Sequence, residues 1–449
     1  MPKSVSGGSP AAAVSLVTAT AIVVADMVGV GVFTSLGFQV KDITSGFSLL
    51  LLWVVGGIVA MCGAISYAEL ASMFPRSSGE YNFLRRIYHP ALGFLAGWLS
   101  GTVGFAAPVA LAAMAFGIYF KSVVPEFPPL ISGLVVVWLV SLIHLSGLRH
   151  ISLFQNVWTA IKLAMVVVFI IAGFALGTPQ PISFAPSTVD FTHIVSAPFF
   201  ISLVFVMYSY SGWNAATYII GELKDPHYTL PRALFFGTII VSILYVALNA
   251  VFLYTTPLSA LSGGGLDVAM IAGNSIFGAF GGRIVGALIC LGLISSISAM
   301  VWIGPRVTMT MGEDLPLLRF FAQKSRTGVP ARAILLQLIV ATLLLLTQSF
   351  EAVLDFIQFS LTLSSFLTVL GVIVLRISKP DLPRPYRAWG YPVTPLIFLT
   401  VMLFMMYYLI VNRPLQSVAG LAIMLAGLLI YGMSRLFSNT PSSDSPRIS

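Results

Sequence analysis

Charge is scarce in this sequence: Asp, Glu, Lys and Arg make up 8% of its 449 residues, against about a quarter in an ordinary soluble domain. That shortage excludes water as the surroundings of most of the chain. Cysteine is scarcer still, and Cys62 and Cys290 both fall inside apolar runs, so they read as small buried hydrophobes rather than a disulfide framework. The five histidines, His89, His144, His150, His193 and His227, have no metal-ligand spacing, and neither a metal nor a cofactor is expected. No loop is long enough for a nucleotide-binding or catalytic domain. Gly29-x-Gly31 lacks the strand and third glycine of a dinucleotide motif, and no nucleophile elbow occurs, so an enzyme is not expected. The polar start and the long first apolar run, without a small-residue cleavage site, do not read as a cleaved leader. A net charge of +8 spread over many loops without an aromatic-lined stripe argues against nucleic acid.

What is present is hydrophobicity, at 58% of the chain. A bilayer core about 30 Å thick takes about 20 apolar residues per helix. Windows of that length predict twelve membrane spans, at 14–40, 48–73, 92–120, 130–148, 153–176, 197–220, 230–254, 284–311, 333–347, 353–377, 393–411 and 418–437. The expected class is an all-α integral membrane protein. With the N-terminus inside, 18 of the 23 Lys and Arg residues fall on the inner side. Only Lys41, Lys121, Arg283 and Arg413 fall outside, and Lys162 lies within a span. The positive-inside rule therefore places both termini in the cytoplasm of a cell whose plasma (inner) membrane holds the chain.

Two spans carry interruptions. The first contains Asp26-Met27-Val28-Gly29-Val30-Gly31, where two glycines among β-branched residues weaken a helix. The sixth contains Tyr208-Ser209-Tyr210-Ser211-Gly212-Trp213-Asn214, polar and glycine-bearing. Unwound backbone at membrane depth is tolerated only where it lines a cavity or binds something. Close helix packing by small residues is the competing reading of Gly29 and Gly31 taken alone. Interruptions five spans apart are what two inverted five-helix repeats produce, with the solute site between them. The expected division is a tail at 1–13, one repeat at 14–176, a second at 197–377, two further helices at 392–437 and a disordered tail at 438–449. Half-helix N-termini present N–H groups to a carboxylate and C-termini present carbonyls to an ammonium, a pairing that fits a zwitterion.

These residues resemble the amino acid, polyamine and organocation (APC) superfamily, and within it bacterial permeases similar to L-type amino acid transporters. Gly29-Val30-Gly31-Val32-Phe33 resembles the family's Gly-Ser-Gly-Ile-Phe. Ser66-Tyr67-Ala68-Glu69-Leu70 with Phe74-Pro75-Arg76-Ser77-Ser78-Gly79-Glu80-Tyr81 is similar to its second-helix end and following loop. Tyr210-Ser211-Gly212-Trp213-Asn214 is similar to its Tyr-Gly-Gly-Trp-Asn. Glu222 to Pro226, Leu230-Pro231 and Arg384-Pro385-Tyr386-Arg387 follow in family order.

The resemblance implies the fold with discontinuous helices one and six, and an amino acid substrate held at Met27, Gly29, Val30, Gly31, Tyr208, Ser209, Ser211, Gly212 and Asn214. The amides of Val30 and Gly31 would meet its carboxylate, and the carbonyls of Met27, Tyr208 and Ser211 its amine. Tyr208 stands at an aromatic gate where relatives have Phe or Trp, and Val30 replaces a family serine. Asn214, where some arginine-transporting relatives have Glu, favours neutral over cationic amino acids or polyamines. Relatives that join an accessory glycoprotein use a cysteine in the second outer loop. Residues 121–129 hold none, so no accessory subunit is expected.

A lysine at a helix centre costs about 2.5–3.5 kcal/mol on insertion scales. The fifth-span string around Lys162 resembles that of sodium-independent relatives, whose lysine fills the place of a sodium ion. The resemblance implies that Lys162 bridges first-helix carbonyls and Ser295 or Ser296; snorkelling to the inner face is the alternative. Coupling to protons or exchange of one amino acid for another both fit. Asp26 has three readings open: a proton carrier, a partner for Lys162, or a cap for unwound amides. Glu69 reads as a solvated or Arg-paired carboxylate. A channel would need a ring of repeated pore residues, which the sequence lacks, and an amino acid sensor of the same fold is the remaining alternative.

Overall fold

A hydrocarbon solvent forces the backbone to satisfy its own hydrogen bonds, and the chain responds with helix after helix. The computed structural model describes residues 14–263, 268–412 and 414–437. The expected tails at 1–13 and 438–449, with Lys3 and Arg447 of the charge count, lie outside the described residues, as does Arg413. Among the described residues every regular element is helical, and one isolated parallel bridge joins Val14 to Leu223.

Among the described residues nine stretches are long and apolar enough to cross a membrane, from Leu16–Gln39 and Gly46–Met73 to Val393–Asn412 and Ser417–Ser434. The other three expected spans are also helical but fall short of that length. Pro129–His144 and Ala331–Leu346 have 16 residues each, and the sixth is divided into Ala197–Tyr210 and the 3-10 helix Ala215–Glu222. Starts follow local chemistry. Ser15 and Ser45 accept from the amides of Thr18 and Ser48, and Ser187 forms a capping box with Asp190. The sequence reading missed Glu80–Ile87, Thr188–Ile194 and Val268–Phe277, because helices of seven to ten residues are invisible to a membrane-length window.

Burial sorts the spans into layers. The most apolar windows of the first, third and eighth are 72% buried, whereas those of the fifth and twelfth are 28% and 22% buried. The inner three form the core. Leu139, Val168, Ile171, Leu403, Leu425 and Leu429 are exposed on the outer helices, as a lipid-facing surface requires. The second span packs on the seventh, the third on the eighth, the fourth on the ninth, and the first on the sixth. Each of the first four thus meets the span five positions later, the pairing of two interlocked repeats. The eleventh and twelfth pack outside, against the tenth.

Candidate functional site

The first span stops at Met27 and restarts at Gly31. Between them Val28 leaves helical geometry at φ −76°, ψ 75°, and the Gly29 amide donates back to Met27 O at 2.8 Å, a three-residue turn. The amides of Val30 and Gly31 find no acceptor among the described residues. They are free donors at the positive end of the second half-helix. The sixth span stops at Tyr210, turns through Ser211 at φ −55°, ψ 152°, and passes Gly212 at φ +97°, a conformation that favours glycine.

Each break is fitted to the other by a glycine. A Cβ on Gly31 would lie 2.8 Å from Ser209 Cα, and a Cβ on Gly212 would lie 2.8 Å from the Asp26 carbonyl carbon. Hydrogen bonds reinforce the fit. Ser35 Oγ and Ser209 Oγ are 2.9 Å apart. The Tyr245 hydroxyl, from the seventh span, reaches Met27 O at 2.5 Å and Ser209 O at 2.9 Å. Tyr245 went unremarked in the sequence, although a tyrosine midway along an apolar run is a signal in its own right.

The carbonyls differ in availability. Met27 O already accepts from Gly29 and Tyr245, and Tyr208 O accepts the amide and hydroxyl of Ser211 at 3.0 and 2.6 Å. Both oxygens have their lone pairs engaged. Ser211 O accepts no hydrogen bond among the described residues. It is the oxygen best placed to take a new donor without rearrangement. Tyr208 is half-buried, and Asn214 Nδ2 lies 3.4 Å from the Tyr218 hydroxyl.

Lys162 is 1% exposed, which disposes of snorkelling. Its Nζ donates to Ala25 O at 3.2 Å, Val28 O at 2.6 Å and Ser296 Oγ at 2.7 Å, and Ser296 Oγ itself donates to Val28 O at 2.8 Å. An ammonium has three N–H groups, and all are used. Ser295 turns elsewhere: its hydroxyl meets Thr159 Oγ1 at 3.1 Å and Gln155 Nε2 at 3.3 Å. The fifth, first and eighth spans are therefore knotted at the break by one cation.

Asp26 neither pairs with Lys162 nor caps the free amides. No ion pair joins it to any basic group among the described residues, because the Lys162 donors are spent on backbone and Ser296. Its Oδ1 is buried without a hydrogen-bond partner. The side chain lines a cavity of about 110 Å³ beside both breaks, shared with Ser211, Gly212, Asn214, Tyr218 and Glu80. The third span contributes to the wall through a π-helical turn, Ser100–Gly104, a distortion frequent at functional sites. Glu80 was quoted in the sequence only as part of a motif. It is buried, and it accepts from Tyr67 at 2.5 Å, from Ser365 at 3.0 Å and from Ser364. A larger groove of about 770 Å³ between the second, seventh and eleventh spans is walled by apolar groups such as Val54, Ile58 and Ile243 and faces outward.

The ends carrying most of the basic residues are tied together. Glu222 accepts from Arg306 Nε at 2.9 Å and Trp302 Nε1 at 3.1 Å. The Val14 amide donates to Glu222 O at 3.1 Å, and the Lys224 amide to Val14 O at 2.9 Å. The start of the first span and the end of the sixth thus close on the eighth. Glu69 is Arg-paired, with Arg376 at 2.5 Å and Arg384 at 3.4 Å.

A family described as amino acid permease matches residues 14–433. The human large neutral amino acids transporter small subunit 2 is 28% identical over 98% of this chain and 84% of its own length. Its mouse counterpart is 28% identical over 95% and 82%. The human b(0,+)-type amino acid transporter 1 is 26% identical over 93% and 86%.

Proposed function

The chain belongs to the amino acid permease family, and from that premise we propose that it is a secondary transporter of neutral L-amino acids working by alternating access. The observation that carries this reading is the pair of free amides at Val30 and Gly31 set against the unengaged carbonyl of Ser211. One accepts a carboxylate and the other an ammonium, at helix ends held together by backbone contact.

In this reading Gly29, Val30 and Gly31 hold the carboxylate. Met27, Tyr208 and Ser211 receive the amine once Tyr245 and the Ser211 hydroxyl yield. Ser209 and Gly212 shape the site, Asn214 meets the substrate side chain, and Tyr208 gates entry. Lys162 with Ser296 serves as a built-in cation, which makes transport independent of sodium. Ser295 supports it through Gln155 and Thr159. The two repeats, 14–176 and 197–377, rock against each other, with both termini in the cytoplasm. The driving solute is a proton or a second amino acid, and no catalysed reaction is expected.

The name shared by the human and mouse large neutral amino acids transporters includes "small subunit", which describes those proteins. For this chain we read a transporter active by itself, since 121–129 offers no cysteine. Counterflow in proteoliposomes containing the purified chain alone, with a panel of labelled amino acids, tests the reading. Uptake of leucine- or alanine-type substrates without sodium supports it. No counterflow of any amino acid overturns it, and stimulation by sodium overturns the role given to Lys162.

A further inference from the structure

The cavity beside the breaks is acidic and has no cation of its own. Two carboxylates, Asp26 and Glu80, line it, and no Lys, Arg or His stands among its lining residues. Asp26 is 9% exposed, and its Oδ1 has no partner. Two buried carboxylates sharing one cavity, neither of them hydrogen-bonded to a cation, are costly to charge together, and one is favoured in its neutral form.

The surrounding elements supply no escape. The fifth span offers Lys162, whose charge acts on Asp26 through space but whose three N–H groups are spent on neutral acceptors, so it gives Asp26 no hydrogen bond. The eighth offers Arg306, committed to Glu222. The loop helix that bears Glu80 carries Arg85, which with Arg76 is committed to Asp314, and Arg86, whose Nε donates to Asn82 Oδ1. The second, sixth and seventh spans face the acids with Tyr67, Tyr218 and Tyr245, and the tenth with Ser364 and Ser365. The two acids are unequal. Three hydroxyls donate to Glu80 and favour its carboxylate against the burial that raises its pKa, whereas nothing donates to Asp26 Oδ1.

We propose that Asp26 carries the proton that drives transport, with Glu80 as the fixed negative charge that makes it bind. This deepens the transporter reading and rests on it. Asp26 is protonated while the cavity is open to the more acidic side. When the cavity opens to the other side, its O–H bond breaks, the proton passes to water, and the carboxylate remains. Asp26 sits at the end of the first half-helix and Glu80 on a loop helix tethered to the tenth span, so opening changes the separation and wetting of the pair.

The test compares two readouts in the same proteoliposomes: uptake of labelled alanine driven by an inward pH gradient of one unit, and counterflow at equal pH. With one proton per substrate, wild type accumulates alanine up to about tenfold. In Asp26→Asn the ratio of gradient-driven uptake to counterflow falls to about that of ungraded vesicles. In Glu80→Gln the pH at which gradient-driven uptake is half-maximal moves to more acid values. Should Glu80→Gln fail to fold, Ser364→Ala with Ser365→Ala, which strips two of its donors, must move the same midpoint. Wild-type counterflow with no response to the gradient overturns the proposal and leaves the transporter reading standing. An Asp26→Asn variant that keeps its gradient response, or one that loses only lysine counterflow, overturns it too, the latter by making Asp26 a receptor for a cationic side chain. Absence of counterflow in wild type overturns the transporter reading itself.

Discussion

Replacing Lys162 by methionine separates what its charge does from what its bulk does. Methionine keeps most of the stem that lies against Gly292 and lines a void with Met165 and Phe169, and it deletes the ammonium. Val28 O retains the Ser296 hydroxyl at 2.8 Å. Ala25 O loses its donor at 3.2 Å and gains none, since the helix that would have supplied one ends at Met27. One orphaned buried acceptor costs about 1–3 kcal/mol, and removal of a buried charge offsets part of that. The expected result is a modest fall in melting temperature, a few degrees at roughly 2–4 °C per kcal/mol. Transport should suffer more, because the cation is what joins the first-span break to the eighth span: initial counterflow rates should fall at least about tenfold, or 1.4 kcal/mol. Alanine is a poorer choice, since it would enlarge the apolar void of about 30 Å³ already beside Lys162 and confound the two effects. Thermal unfolding followed by size-exclusion chromatography, paired with counterflow on the same preparation, measures both. Wild-type transport in the methionine variant would refute the reasoning, and so would loss of transport in strict proportion to loss of folded protein.

Gly31→Ala drives a Cβ to within 2.8 Å of Ser209 Cα, whereas at Gly29 the nearest atom is 4.0 Å away; counterflow should drop far more in the first variant than in Gly29→Ala, and equal effects would contradict the close fit of the two breaks. Tyr245→Phe removes a hydroxyl shared by Met27 O and Ser209 O, worth about 0.5–1.5 kcal/mol, and should lower both melting temperature and transport rate; an unchanged rate would show that the bridge plays no part. At Asp190, hydroxyls of Ser45, Ser48 and Ser187 and the Ser187 amide hold the carboxyl well below the usual carboxylate range. Its stabilising contribution is therefore complete above the ordinary value of about 3.9 and fades as pH falls through the depressed one. Asp190→Asn should accordingly melt lower at neutral pH and show less additional loss in acid, and identical melting curves at pH 7 would refute this.

The twelve spans were legible because hydropathy over a membrane length is a sum over many residues, in which single exceptions average out. The two breaks were legible for the opposite reason: glycine and polar residues at 29–31 and 208–214 depart from the local rule for a membrane helix, and the structure interrupts both spans there. What the sequence concealed is partnership. Nothing in the string distinguishes Ser295 from Ser296, yet the 100° turn between them sends one hydroxyl to Lys162 and the other to Thr159 and Gln155. Asp26 looked like a natural mate for Lys162, and the pairing failed because the unwound carbonyls of Ala25 and Val28 claimed the ammonium first. Glu80 was hidden by its place in a loop, where a carboxylate is normally solvated, until the fold closed Tyr67, Ser364 and Ser365 around it. The last two are connected. A cation satisfied by backbone leaves its expected carboxylate free, and a free carboxylate facing a second one needs a mobile positive charge. The same unwinding that frees the amides of Val30 and Gly31 also leaves Asp26 Oδ1 without a partner, so in the proposed reading substrate site and coupling site follow from one interruption of one helix.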